Sequence, residues 1–190
     1  MTKVSSSAID VIMSRSTAIR LGACAPSREE LEVILAAGAR APDHGRLQPW
    51  RFFVLEGEAR AILAKSMGDI ARANGESNPE IIAKAEKKAY RAPTIIVVAG
   101  VMRPDHKVPE IEQVLAVGAS VQNMLIAAEA LGLGAMWKTG APAYDEGLKQ
   151  ALGLAADDHI SAFVYLGEML ATPPIRRPVS PEVVWLDQTS

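Results

Sequence analysis

The spacing of apolar residues changes several times along the chain, and each change marks an element. Ile9, Ile12 and Met13 recur at i, i+3 and i+4, predicting a first helix over Ala8–Ser14 that runs into Arg15-Ser16-Thr17. Ser27 followed by Glu30 forms a capping box, so a second helix starts there, with Leu31, Ile34, Leu35 and Gly38 as its stripe. A polar loop, Asp43 to Pro49, leads into Trp50-Arg51-Phe52-Phe53-Val54-Leu55, which reads as a buried strand stopped by Gly57. Residues 58–90 are charged and alanine-rich around Asn74-Gly75-Glu76-Ser77-Asn78-Pro79, predicting two surface helices around a mobile loop. The β-branched run Pro93 to Ala99 suits a strand buried on both faces. A long helix from about Pro109 to Leu131 follows, then a strand over Leu133–Lys138, a helix over Tyr144–Leu152 and a last strand over Ile160–Leu166. The tail from Thr172 is proline-rich.

Gln113 to Ala128 is uncharged, and membrane segments look uncharged too. It carries Gln113, Ser120, Gln122 and Asn123 and falls short of the roughly 18 apolar residues of a spanning helix, so it reads as a buried helix of a soluble protein. At 190 residues with 49% hydrophobic positions, the whole chain, 1–190, is most simply one domain around one sizeable core. Net charge is −2, which gives no electrostatic reason to expect nucleic acid or an anionic membrane as a partner. One cysteine, Cys24, and no apolar leader at the N-terminus point to a reducing, cytoplasmic compartment.

Several chemistries lack their motifs. Gly132-Leu-Gly134 is followed by Trp137 where a third phosphate-binding glycine would fall, and no P-loop occurs. His44, His106 and His159 have no metal-ligand spacing, and no serine sits in a nucleophile elbow. What the chain does carry is a set of basic, hydroxyl and planar groups at junctions between elements: Arg15-Ser16-Thr17, Arg40, Asp43 to Trp50, Trp137-Lys138-Thr139-Gly140, and Arg176-Arg177. Guanidinium forks and hydroxyls suit a phosphate, and planar and amide groups suit a polar ring system. Taken singly, each arginine reads as a solvated surface residue and Trp50 as part of the core.

Together these segments resemble the FMN-dependent nitroreductase family. Arg15-Ser16-Thr17 is similar to the family's opening R-[RHS]-[ST], and Ala41 to Phe52 to its A-P-S-x-x-N-x-Q-P-W-x-F. Leu131-Gly132-Leu133-Gly134-Ala135-Met136-Trp137 matches L-G-L-G-x-x-W, and Arg176-Arg177-Pro178 with Glu182-Val183-Val184 looks like the C-terminal R-[KR]-P…E-V-V. Arg40-Ala41-Pro42-Asp43-His44 and Trp137-Lys138-Thr139-Gly140 look closest to the small YdjA-like branch.

The resemblance implies an α+β, nitroreductase-like fold with a central mixed sheet flanked by helices. It also implies a homodimer whose extended C-terminal tail wraps the partner, with FMN at the subunit interface. Carried over by position, Arg15, Ser16 and Thr17 would hold the phosphate and ribityl chain, with Arg176 and Arg177 adding positive charge. Trp137, Lys138 and Thr139 would pass the flavin ring, and Arg40 and His44 would reach it from the other subunit. Gln48 and Trp50 would support the loop. Two departures stand out: Ile19, followed by Arg20, occupies the place of a basic residue near the flavin pyrimidine, and Arg46 replaces the asparagine of N-x-Q-P-W. Arg46 would then supply the charge that Ile19 lacks. The implied activity is hydride transfer from NADH or NADPH through flavin to a nitroaromatic, quinone or similar flat small-molecule acceptor. The alternatives are another flavin reaction on the same scaffold, or flavin storage without turnover.

Overall fold

The computed structural model describes residues 7–171 and 180–186. Its centre is β2 (Thr94–Gly100), whose residues are all buried, as an uninterrupted β-branched run requires. It pairs with β1 (Trp50–Glu56) on one side and β4 (His159–Gly167) on the other, and β4 pairs in turn with β3 (Gly134–Lys138), giving the order β1-β2-β4-β3. Every pairing is antiparallel, so the expectation of a mixed sheet is corrected for the described residues. The reason lies in one connection. β2, the long helix α5 (Glu110–Ala130) and β3 form a crossover whose two strands run the same way, but it leaves a gap one strand wide, and β4 fills that gap in the opposite direction.

Alternation along the strands sends side chains into two cores. Ile96, Val98, Ala162, Val164, Leu166 and Ala135 meet α5 and α2 (Arg28–Gly38) on one face. Ile95, Val97, Ala99, Phe163, Tyr165 and Met136 meet α3 (Ala61–Ala73) and α6 (Glu146–Ala151) on the other. The pair expected as surface helices is thus half a core layer: α3 buries Leu63 and Ala64, while α4 (Pro79–Glu86) buries Ile82. The capping box of α2 forms as the sequence indicates, Ser27 Oγ accepting the Glu30 N–H and the Glu30 carboxylate accepting the Ser27 N–H.

α5 is long and apolar enough to cross a membrane by length and composition, yet its inner face packs on the sheet and on α2. Gly38 makes the latter contact possible, since a Cβ there would lie 2.8 Å from Met124 Cγ and 3.1 Å from Ser120 Oγ. Of the small residues in mid-helix, Ala116 and Ser120 are therefore used within the chain, whereas Gly118 faces open space. The first helix, α1 (Ala8–Ser14), buries Val11 and leaves Ile9, Ile12 and Met13 exposed. Ile111 and Leu115 on α5 are exposed as well, so two helices present apolar side chains that nothing in the described chain covers.

Candidate cofactor site

α1 ends where its apolar spacing ends, and Arg15 closes it by donating its backbone N–H to Val11. From there the chain crosses to the outer edge of β3, where the Ala18 N–H donates to the Ala135 carbonyl at 3.0 Å. It continues along Met169 and Glu168, with Leu21 bridged to Met169 and the Gly22 N–H on the Glu168 carbonyl at 2.8 Å. Gly134 permits this approach, because a Cβ there would lie 2.5 Å from Leu21 Cδ2. The sequence thus folds Arg15, Ser16 and Thr17 against the strand that ends in Trp137 and Lys138.

Both backbone polar groups of a strand residue point the same way, and the direction alternates along the strand. Since the Ala135 carbonyl faces Ala18, the N–H and C=O of Trp137 also face the outer edge, where no further strand follows among the described residues. Trp137 is fixed from its other end, its indole N–H donating to the Ser161 carbonyl at 3.2 Å. Beyond it Thr139 is exposed and Gly140 stands at φ 102, ψ −166, a region open only to glycine. Thr139 and Gly140 form one wall of a cavity of about 360 Å³ whose other walls are Met67, Ile70 and Ala71 of α3 and Lys88. Lys88 was not among the sequence-derived residues; its only signal was a place in a lysine-rich run, which reads as a solvated face.

Arg40, His44 and Arg46 form a second group. His44 Nδ1 lies 2.5 Å from Glu112 Oε2 in the first turn of α5, and the neighbouring Glu110 meets His159 at 2.9 Å. The loop that carries them is tightly wound: Gly45, Arg46 and Gln48 have φ of 76°, 55° and 49°. Asp43 closes it, its carbonyl accepting the Arg46 N–H and its carboxylate the Gln48 N–H. Gln48 joins the loop through its backbone N–H and leaves its side chain exposed, whereas Trp50 packs against the α5 face of the sheet.

The two groups are anchored at opposite ends of that sheet. Ala135 pairs with Leu166, whereas the His44 anchor lies beside His159, and these two β4 residues are seven positions, roughly 23 Å, apart. Among the described residues no carboxylate pairs with Arg15, Arg40, Arg46, Lys88 or Lys138. Each group therefore offers uncommitted cations, the first together with two hydroxyls and a free strand edge. This donor set fits a phosphate ester joined to a ring with a hydrogen-bonding edge, as FMN is. Arg176 and Arg177 lie outside the described residues.

The nitroreductase family model matches residues 12–168. The Escherichia coli K12 protein named "Putative NAD(P)H nitroreductase YdjA" is 40% identical over 173 residues, 91% of this chain and 92% of its own length. The crystal structure of a nitroreductase-like family protein from Bacillus cereus superposes with a TM-score of 0.79 at 23% identity, covering 97% of this chain and 98% of that one, which establishes the nitroreductase-like fold. A Desulfovibrio desulfuricans protein solved in complex with FMN superposes with a TM-score of 0.69 at 29% identity, covering 93% and 94% of the two chains.

Proposed function

We propose, on the premise that this chain belongs to the nitroreductase family, that it is an FMN-dependent oxidoreductase taking hydride from NADH or NADPH and passing electrons to a flat small-molecule acceptor such as a nitroaromatic or quinone. The observation that carries this reading is the Ala18–Ala135 hydrogen bond, which sets the Arg15-Ser16-Thr17 segment against the strand edge leading to Thr139. FMN, when bound, supplies the hydride-accepting and electron-releasing chemistry, and the protein sets position, charge and access.

Arg15 holds the phosphate, with Ser16 and Thr17 adding hydroxyls and Arg176 and Arg177 further positive charge. Trp137, Lys138 and Thr139 present backbone donors and acceptors along the ring. Lys88, in the cavity wall opposite Thr139, places a further cation on the ring side, in addition to the charge that Arg46 supplies in place of Ile19. Apolar Met67 and Ile70 line the same cavity and suit a flat acceptor.

Arg40, His44 and Arg46 reach the ring from a second copy of the chain. Their anchor lies roughly 23 Å of strand away from that of the first group, a separation that supports their coming from a second copy. Two further features support a homodimer: the uncovered apolar side chains of α1 and α5, and the run Val183-Val184-Trp185-Leu186, all exposed. Such a tail suits wrapping a partner. The free, exposed thiol of Cys24 accords with a reducing, cytoplasmic setting.

An absorption spectrum of the purified protein, repeated anaerobically after adding NADH or NADPH, tests the reading. Flavin bands that bleach support it. Bands that persist indicate flavin storage, and colourless protein with no affinity for added FMN overturns the cofactor assignment.

A further inference from the structure

The cavity beside Thr139 does not end at Lys88. An adjoining hollow of about 460 Å³ shares Ala71, Ala85 and Lys88 with it and adds Asn74, Glu76 and Lys84. We propose that this second hollow seats the diphosphate of the nicotinamide dinucleotide donor, with Lys84 as its principal cation; the inference rests on the flavin reading above.

Three observations converge on it. Lys84 and Lys88 are four residues apart in the helical run from α4 into the turn that follows, so they project on one side of it, on the order of 6 Å apart at Cβ. Neither has an acidic partner among the described residues, although the surrounding surface is rich in them: Lys65 pairs with Asp69, and Arg72 with Asp69 and Glu86. The one carboxylate lining the hollow, that of Glu76, is turned into its own loop, accepting the Asn78 N–H at 2.8 Å. The Asn74 side chain has no partner among the described residues and adds a neutral donor beside Lys84.

The two hollows meet at Ala71, Ala85 and Lys88, and this continuity decides which ligand the pair suits. A single-ring acceptor fills the first cavity alone. The donor is the reactant that carries two phosphates at a distance from its reactive ring, so with nicotinamide beside Thr139 its diphosphate falls past Lys88, towards Lys84. Lys88 serves the ring side, and Lys84 belongs to the outer hollow only.

The test compares NADH with reduced nicotinamide riboside, which has the same reactive ring and no diphosphate, as donors to the flavin-loaded enzyme bearing Lys84→Gln or Lys84→Glu. The expected result is a KM for NADH raised about tenfold in Lys84→Gln and more in Lys84→Glu, with kcat, FMN content and the KM for the riboside unchanged. Equal KM values for NADH in all three proteins, or a rise shared by both donors, overturn the inference while leaving the flavin reading standing. Protein that carries no flavin, or flavin that neither donor bleaches, removes the flavin reading and the inference with it.

Discussion

The Asp43 carboxylate accepts the backbone N–H of Gln48 at 2.6 Å, and this bond closes a loop in which two side-chain-bearing residues, Arg46 and Gln48, are held at positive φ. Left-handed backbone at residues other than glycine costs on the order of 1 kcal/mol each and persists only where the surroundings enforce it. Asp43→Ala is expected to lower stability by about 1–2 kcal/mol in chemical denaturation and to weaken FMN retention by releasing Arg46. Asp43→Asn, which keeps an acceptor oxygen, should preserve most of both. An alanine variant unchanged in both respects would show that Asp43 does not hold the loop.

Arg15 caps α1 through its backbone, while its side chain has no acidic partner among the described residues. Arg15→Ala is therefore expected to leave the melting transition nearly unchanged and to weaken FMN binding by about 2 kcal/mol, roughly thirtyfold in Kd. Titration of apoprotein with FMN, read by flavin fluorescence, measures this directly. Retention equal to that of the parent protein contradicts the phosphate assignment.

The contact between α2 and α5 makes two opposite demands. Gly38→Val forces a side chain against Met124 and Ser120 and should cost about 1–3 kcal/mol. Ser120→Ala should be neutral or stabilising by up to about 1 kcal/mol, because the Ser120 hydroxyl is buried with no hydrogen-bond partner among the described residues. Urea denaturation of the two variants checks both signs. A strongly destabilised Ser120→Ala would mean that the hydroxyl has a partner after all.

Burial pushes the Tyr165 hydroxyl up to about 12, against a smaller opposing pull from the Arg91 guanidinium. The unfolded phenol ionises near pH 10, so between about pH 10 and 12 the unfolded chain has lost a proton that the folded chain keeps. Stability then falls as pH rises through that window, by up to about 1.4 kcal/mol per pH unit, and this contribution vanishes below pH 10. Tyr165→Phe should lose less stability than the parent between pH 9 and 11.5. Identical losses in the two proteins would place the alkaline limb elsewhere.

Much of this architecture was legible in the chain because it is local. The α1 bounds, the Ser27–Glu30 box and the doubly buried β2 follow from spacing and capping alone. The antiparallel order was not legible, since β4 enters between β2 and β3 through pairing distant in sequence. Of the site, Arg15, Ser16, Thr17 and Trp137 to Thr139 emerged together, from motifs that the fold joins at Ala18 and Ala135. Lys88 is not legible in the sequence because its place is set by the turn between α4 and β2 and by the cavity it faces, neither of which has a sequence signature. The stripe of Ile9, Ile12 and Met13 shows the opposite limitation: its period predicts the helix, but the period alone does not tell that all three side chains are exposed in the fold.

The central claim is a flavin site completed by two copies of the chain, and mixed dimers test it most directly. Arg15→Ala and Arg46→Ala chains, each defective alone, are expected on coexpression to yield mixed dimers in which one site collects both substitutions and the other keeps both arginines. The account predicts that such mixed dimers recover about one tight FMN site and about half the activity of the parent dimer. Mixed dimers in which neither site regains FMN affinity would show that Arg15 and Arg46 act within one chain, and would contradict the claim.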